Sequence, residues 1–303
     1  MKWTFPYESS SRIRALLEEN SLAMSKKFGQ NFLITQSVRE KIVSAIGLIQ
    51  GNSIWEVGPG IGNITTILLD KGVHVTAFEI DRGFISILKE HAFVDVPSFH
   101  LIEGDMLKNF PSVVKEKGIP DAICGNLPYN VGSIIIARIL EERVGPPTMV
   151  FTLQKEVVDR IVGTSGTKNW STLSILCQVD YHVTSLFTIK ATHFYPKPTV
   201  DSAVIHFKKR ETSLVPEEIR ERFFIIVHDL FASRRKTMRN NLMNNRLSTI
   251  ISPSIIDNLI SSSRFNPLTR GEVFSIEDLI ELTQIFMTHS THLSKDPFCN
   301  DKS

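Results

Sequence analysis

Four short motifs, spaced like the ends of successive strands, carry the side chains in this chain that could do chemistry. The first is Glu56-Val57-Gly58-Pro59-Gly60-Ile61-Gly62. Glycines there let a ligand approach the backbone, and a helix opening after them offers free N–H groups. A tight strand-to-helix turn wants glycine anyway, so about half of such turns standing alone bind nothing. The spacing, with Asn63 in the sixth position, also misses the Gly-x-Gly-x-x-Gly of dinucleotide-binding folds. Glu79 follows 21 residues after Gly58. A carboxylate ending the next strand can accept hydrogen bonds from both hydroxyls of a ribose; alone, it would be a solvated strand-end charge. Together the two imply an adenosine-containing cofactor, either a nicotinamide dinucleotide or S-adenosylmethionine.

Gly104-Asp105 comes next. Asp105 could accept from an exocyclic amino group such as that of a cofactor adenine, although a turn-forming Asp explains it equally well in isolation. The fourth motif, Asn126-Leu127-Pro128-Tyr129, is more specific. Asn supplies an amide oxygen, proline fixes the turn and leaves local carbonyls facing outward, and tyrosine supplies a flat face. An amino group on a ring needs two acceptors and a platform, and this tetrapeptide provides both.

The elements that must position these motifs can be read from periodicity. Residues 53–57, 73–80, 99–103, 121–126 and 148–154 read as apolar strands, with helical spacing at 61–69, 82–90 and 134–142. Alternation of this kind means right-handed crossovers and a parallel sheet covered on both faces. Residues 183–189 and 202–208 are two further strands joined by a loop too short for a crossover, so that pair should be antiparallel. After Arg210 only helical spacing remains, at 216–230, 234–246, 254–261 and 276–287. The reading is therefore a catalytic domain over 1–210 and a helical domain over 211–303, the tail from 289 being polar.

Composition bounds the class. Hydrophobic residues make up 42% and charged residues 22% of 303 residues, which excludes a disordered chain, a collagen-like fibre and a coiled-coil rod. No stretch approaches the roughly 20 apolar residues of a membrane span, and the N-terminal run lacks the apolar core of a secretory signal. Cys124, Cys177 and Cys299 are odd in number and widely spaced, which points to a reducing cytoplasm. Cys124 and Trp55 read as core residues. His289, His292 and Cys299 are too few for a metal site, so none is expected. Net charge is only +2, but the basic residues gather at Lys208-Lys209-Arg210 and at Arg234, Arg235, Lys236 and Arg239, followed by Arg246. Such runs are solvated helix faces or phosphate contacts.

At the Asn-Leu-Pro-Tyr motif the chain resembles a known family, the small-subunit ribosomal RNA adenine dimethyltransferases called KsgA or RsmA in bacteria. The matching segments are Phe28-Gly29-Gln30-Asn31-Phe32-Leu33, EVGPGIGNIT (56–65), FEID (78–81), Gly104-Asp105, GNLPYN (125–130), LQKEVVDRI (153–161), FYPKPTVDSAV (194–204) and RRKTMRNNL (234–242). They run in family order over about residues 20–285, behind a helix at 12–19 like that of many bacterial members. One departure is FYPKPTVDSA, where many members carry a Pro-Pro-Pro-Lys run. The resemblance implies a class I S-adenosylmethionine-dependent methyltransferase fold, an α/β, Rossmann-like, seven-stranded sheet with an antiparallel last pair, plus a small all-α C-terminal domain.

Carried over residue by residue, the resemblance assigns cofactor contacts to Asn31, Leu33, Gly58, Glu79, Asp105 and Asn126, with the Phe28–Leu33 segment closing over the cofactor. The implied reaction is methyl transfer to N6 of two adjacent adenosines in the 3′-terminal hairpin loop of 16S rRNA, within the small ribosomal subunit. Asn126 and the Leu127 carbonyl would accept from the amine, with Pro128 shaping the turn. Tyr129 would stack on the target base and Phe194 form its second face. Arg234, Arg235, Lys236 and Arg239 become expected rRNA contacts. The chain is expected to be cytoplasmic, metal-free and, by default, monomeric. Rival readings are a large-subunit rRNA methyltransferase of the macrolide-resistance type and a non-catalytic RNA-binding assembly factor on the same fold. A nicotinamide dehydrogenase is disfavoured by the glycine spacing and by the Asn-Leu-Pro-Tyr motif.

Overall fold

The computed structural model describes residues 3–20, 22 and 31–288. Helix α1 (Ser10–Glu19) starts where the Ser9 hydroxyl accepts from the Arg12 N–H, and its buried stripe is Ile13, Leu16 and Leu17. A two-residue strand, β1 (Phe32–Leu33), precedes α2 (Gln36–Ile46), which ends on Gly47 at a φ of +73°. Then strand and helix alternate: β2 (Ser53–Val57), α3 (Thr65–Asp70), β3 (His74–Glu79), α4 (Arg82–Ile87), β4 (Phe99–Glu103), α5 (Met106–Lys117), β5 (Ala122–Asn126), α6 (Gly132–Glu141) and β6 (Thr148–Gln154). After α7 (Lys155–Ile161) and α8 (Thr172–Asp180) come β7 (Tyr181–Ile189), the two-residue β8 (Phe194–Tyr195) and β9 (Ser202–Lys209).

Seven strands form one sheet in the order β4-β3-β2-β5-β6-β9-β7. The first four neighbouring pairs are parallel, β6–β9 is antiparallel, and so is β9–β7, as the short connection between β7 and β9 requires. Strand β2 pairs with β3 on one side and β5 on the other. The winding reverses there, which is where open α/β sheets leave a crevice beyond their carboxyl ends. One face of the sheet buries Ile54, Ala122, Cys124 and Val150 against Ile42 and Val43 of α2 and Leu68 of α3. Trp55 is also buried, edge-on to Phe78.

Three features differ from the periodicity reading. The chain leaves the glycine-rich segment through turns over residues 60–64, and α3 begins only at Thr65, not at 61. Gly58, Gly60 and Gly62 all have positive φ, which no helix accommodates. A second, two-stranded sheet pairs β1 with β8 antiparallel, Phe32 opposite Tyr195 and Leu33 opposite Phe194, residues more than 160 positions apart in the sequence. Two-residue strands carry no periodicity, so no pattern could announce them.

The third difference is the division of the chain. Two compact units form, one of residues up to Asp159 with Tyr181–Lys209, the other of Arg160–Asp180 with the chain from Arg210. The boundary drawn at 210 therefore misses the segment 160–180. The second unit holds α8, α9 (Arg220–Phe231), α10 (Met238–Met243), α11 (Leu247–Ile250), α12 (Pro253–Ser262) and α13 (Ile276–Thr288). Trp170, Ile175 and Val179 belong to its core with Phe223, Leu230, Leu242 and Leu279. Trp170 donates its Nε1–H to the Phe274 carbonyl at 2.8 Å, and Asp180 forms an ion pair with Arg220. Replacing Trp170 by Ala should cost the helical unit about 3–5 kcal/mol. Hydrogen exchange would read this as lost protection in α8 and α9 together; loss confined to the sheet would contradict the division.

Candidate active site

The carboxyl ends of β2, β3, β4 and β5 open into one cavity of about 320 Å³, within the range of small-molecule sites. Asn31, Gly58, Glu79, Asp105 and Asn126 all line it, as do Glu56 and Pro128. Five of the six residues assigned to the cofactor thus converge on one cavity, and Leu33 is absent from its wall. Apolar side chains of Phe32, Phe78, Phe84, Met106 and Ile135 form much of the remaining wall, and Ile80, half exposed, stands among them.

The glycine-rich segment shapes one wall. At Gly58, with φ at +68°, no atom lies within 4 Å of where a Cβ would stand, so that space is open. At Gly60 a Cβ would stand 3.1 Å from the Phe32 ring. Glu79 ties this wall to the end of β3. Its Oε2 accepts from the Gly60 N–H at 3.0 Å, and its Oε1 from the Ile80 and Asp81 N–H groups at 2.8 and 2.9 Å. A carboxylate has about four acceptor positions, so one is left. Glu79 can therefore take one hydroxyl in this arrangement, not the pair that sequence reasoning assigned to it.

Glu56, which sequence reasoning passed over as part of the strand, is the second buried carboxylate on the wall. Its Oε2 accepts from the Thr65 hydroxyl at 2.6 Å. Burial pushes both carboxyls up from an ordinary 4.5 to about 7, and Glu79 adds its charge to the effect on Glu56. The signal available in the sequence was an acidic side chain inside an otherwise apolar strand.

Asp105 fills the turn-forming role weighed for it and also stands on the cavity wall. Its Oδ1 caps α5 by accepting from the Leu107 N–H at 2.9 Å. Asn126 donates its Nδ2–H to the Asn31 carbonyl at 2.8 Å. The amide nitrogen is thereby engaged, and Oδ1 remains as an acceptor. The Leu127 N–H donates to the Thr152 carbonyl, while no described residue donates to the Leu127 carbonyl. Pro128 differs: its carbonyl accepts from Val131 and Gly132 at the start of α6, so it does not face outward unpaired.

Other assigned residues stand off the wall. Tyr129 is half-buried beside it, its hydroxyl 2.9 Å from that of the fully buried Ser202. The side chains of Leu33 and Phe194 lie opposite each other in the small sheet and are packed in the core, 0% and 3% exposed. Phe194 therefore offers no face to a second ring in this structure, and Leu33 contributes its carbonyl, which accepts from Asn63 Nδ2 at 2.9 Å. Phe28, Gly29 and Gln30 of the closing segment lie outside the described residues, as do His289, His292 and Cys299.

The basic cluster of the helical unit divides in two. Arg239 is paired with Asp257 at 2.5 Å, and Arg234 donates to the Lys168 carbonyl at 2.5 Å with Glu272 3.4 Å away. Arg235 and Lys236 are exposed and make no ion pair among the described residues. The rest of RRKTMRNNL is scaffold. Met238 and Leu242 are core, Thr237 caps α10, and Asn241 donates to the carbonyls of Leu230 and Ser233.

The sheet order, the glycine-rich turn, the acidic ends of β3 and β4 and the Asn-Leu-Pro-Tyr turn define a class I S-adenosylmethionine-dependent methyltransferase. Residues 22–281 match the family described as ribosomal RNA adenine dimethylase. The chain is 42% identical over 281 residues to ribosomal RNA small subunit methyltransferase A of Treponema denticola, covering 92% of this chain and 95% of that one. Its namesake from Lactococcus lactis is 35% identical over 91% of this chain and 94% of its own length. Among solved structures, a dimethyladenosine transferase from Plasmodium falciparum shares the fold with a TM-score of 0.67 at 21% identity, over 84% of this chain and 97% of that one. The 23S rRNA methyltransferase ErmE does so with 0.61, at 21% identity, over 84% and 98%. This chain belongs to the ribosomal RNA adenine dimethylase family.

The two raised carboxyls set a pH dependence. The unfolded chain ionises them near 4.5 and the folded protein only near 7, so stability falls as pH rises between those values and then levels. Glu56→Gln removes one of the two. Urea unfolding should find the variant equal to the parent near pH 4 and more stable at pH 8, by on the order of 3 kcal/mol.

Proposed function

We propose that this cavity binds S-adenosylmethionine and that Asn126 and Leu127 hold the N6 amino group of an adenine at its mouth. The cavity's residues fit the donor. Gly58 leaves open space where any other residue would place a Cβ, Glu79 keeps one acceptor position, and Asp105 keeps an oxygen beyond its capping bond. Apolar walls at Ile80, Phe84 and Met106 suit a flat purine. When bound, S-adenosylmethionine supplies a methyl group on a sulfonium that is already strongly electrophilic.

The difficulty lies with the amine, whose lone pair is delocalised into the adenine ring. Two acceptors aimed at its two hydrogens pull the nitrogen toward a pyramidal shape and direct the lone pair. Asn126 Oδ1 and the Leu127 carbonyl are those acceptors. The observation that carries this reading is the Asn126–Asn31 bond, which engages the amide nitrogen and leaves the oxygen to the cavity. Alignment and fixed dipoles then do most of the work, without a proton-transferring base. Tyr129, held at its hydroxyl by Ser202, serves as the platform for the extruded base. Phe194 acts from the core by pairing with Leu33, which steadies the backbone at Asn31.

The substrate we infer is the pair of adjacent adenosines in the 3′-terminal hairpin loop of 16S rRNA, within the small ribosomal subunit, with this chain acting as a monomer in the cytoplasm. No described helix is long and apolar enough to cross a membrane. The helical unit meets the rRNA through Arg235 and Lys236, which need no internal bond broken, more than through Arg234 and Arg239.

Asn126→Ala should lower methyl transfer to undermethylated small subunits by about 10²–10³-fold. The dissociation constant for S-adenosylmethionine should change far less. Label on large-subunit RNA, or none with the parent enzyme, would overturn the assignment. Arg235→Ala and Lys236→Ala should each reduce the slope of log affinity against log salt by about 1. Arg239→Ala should change that slope less, since its charge is already matched by Asp257.

A further inference from the structure

The glycine-rich turn has an outer side as well as the side that lines the cavity, and the outer side is held by residues from the N-terminal segment. Tyr7 is buried, and its hydroxyl sits 3.0 Å from the Ile61 carbonyl and 3.0 Å from the Thr66 hydroxyl. Thr66 in turn lies 2.8 Å from the Gly62 carbonyl, to which it can donate. The tyrosine has one proton to give. If it goes to Ile61, the turn receives it directly; if it goes to Thr66, the threonine proton passes to Gly62. Either way a carbonyl of the turn is bonded. Trp3 Nε1–H completes the hydroxyl by donating to it at 2.7 Å.

A second contact reaches the next carbonyl. The Arg39 guanidinium lies 5.0 Å from the Tyr7 ring centroid and donates from Nη1 to the Asn63 carbonyl at 3.3 Å. With the Tyr7 proton on Ile61, three successive carbonyls are bonded on this side, Ile61 by Tyr7, Gly62 by Thr66 and Asn63 by Arg39, while the Gly60 N–H is held from inside by Glu79. The N-terminal segment also backs the cavity through packing. Tyr7, Ile13, Leu16 and Leu17 form one apolar cluster with Phe32, Ile61 and Phe84, and Phe32 and Phe84 line the cavity edge-to-face. The family match begins at residue 22, so Trp3, Tyr7 and the α1 residues of this buttress lie outside it, while Arg39 lies within it.

We propose that Tyr7 is a positioning residue for the methyl donor: by fixing the carbonyls of the glycine-rich turn it sets the geometry of the wall that binds the cofactor. Arg39 assists at Asn63. The proposal rests on the reading of the cavity as the S-adenosylmethionine site. Its consequence is selective, because the turn touches the donor and the Asn126–Tyr129 turn, which receives the RNA base, is held by other bonds.

The test measures, on the full chain, the dissociation constant and KM for S-adenosylmethionine together with KM for undermethylated small subunits. Tyr7→Phe keeps the ring and removes the hydroxyl. It should raise both donor constants by about five- to tenfold, the worth of one buried hydrogen bond, and leave KM for the subunit unchanged. Arg39→Gln should weaken donor binding in the same sense. Trp3→Phe removes a hydrogen bond to the same hydroxyl without releasing the turn, and should keep donor affinity within about twofold, although it forfeits a bond of similar worth. Parent-like donor affinity in Tyr7→Phe overturns the proposal, as does equal weakening by Trp3→Phe. If Tyr7→Phe does not fold, Arg39→Gln decides by the same readings. Failure of the parent enzyme to bind the donor would instead refute the reading of the cavity.

Discussion

The bond between the Glu79 carboxylate and the Gly60 N–H is the constraint on which the cavity depends. It joins the end of β3 to the turn that follows β2, so two separately formed strand ends become one wall. The bond stands where water is scarce, and burial makes the carboxyl hard to ionise. Three backbone donors offset part of that cost. The wall therefore holds a latent acceptor in a low-dielectric place, where a hydrogen bond to a ligand hydroxyl gains strength over the same bond in water. Glu56, one strand over, repeats the arrangement with Thr65 alone as its donor, through hydroxyl and backbone.

The opposite side of the cavity follows a different principle. Asn126 has no charge to bury, and its orientation is decided by one bond to a backbone carbonyl. That carbonyl belongs to Asn31, which precedes a strand only two residues long. The strand is held by β8 from far along the chain. Ile34 N–H donates to the His193 carbonyl and Thr35 Oγ1 lies 2.8 Å from His193 Nδ1, extending the same seam. An acceptor for an amine is thus set by contacts between residues near 32 and residues near 194. The Pro-containing loop after β8 matters through this seam as well as through whatever it meets outside.

In the helical unit one short motif serves two purposes. Within RRKTMRNNL, Met238, Asn241 and Leu242 are interior, and Asn241 saturates two carbonyls at the end of α9. Its charged members are unequal: Arg239 is matched by Asp257, while Arg235 and Lys236 make no ion pair among the described residues. A polyanion gains most from charges that carry no internal partner, since counterion release then requires no bond to be broken. A specific string of residues can therefore identify a family while only part of it meets the ligand.

The alternation of apolar strands and amphipathic helices, the antiparallel last pair, and the four motifs at strand ends were all legible in the residues. Each follows from local periodicity or from glycine's tolerance of positive φ, and sheet topology then forces Gly58, Glu79, Asp105 and Asn126 to one edge. What no local rule could reach was decided by packing. The placement of residues 160–180 with the helical unit depends on Trp170 and Val179 finding their core across the chain. The burial of Phe194, the Gly60 bond of Glu79, the pairing of Arg239 and the grip of Tyr7 on the turn likewise arise between residues apart in sequence. Residue type states what a group can do; only its neighbours in space decide how many of its bonds are already taken.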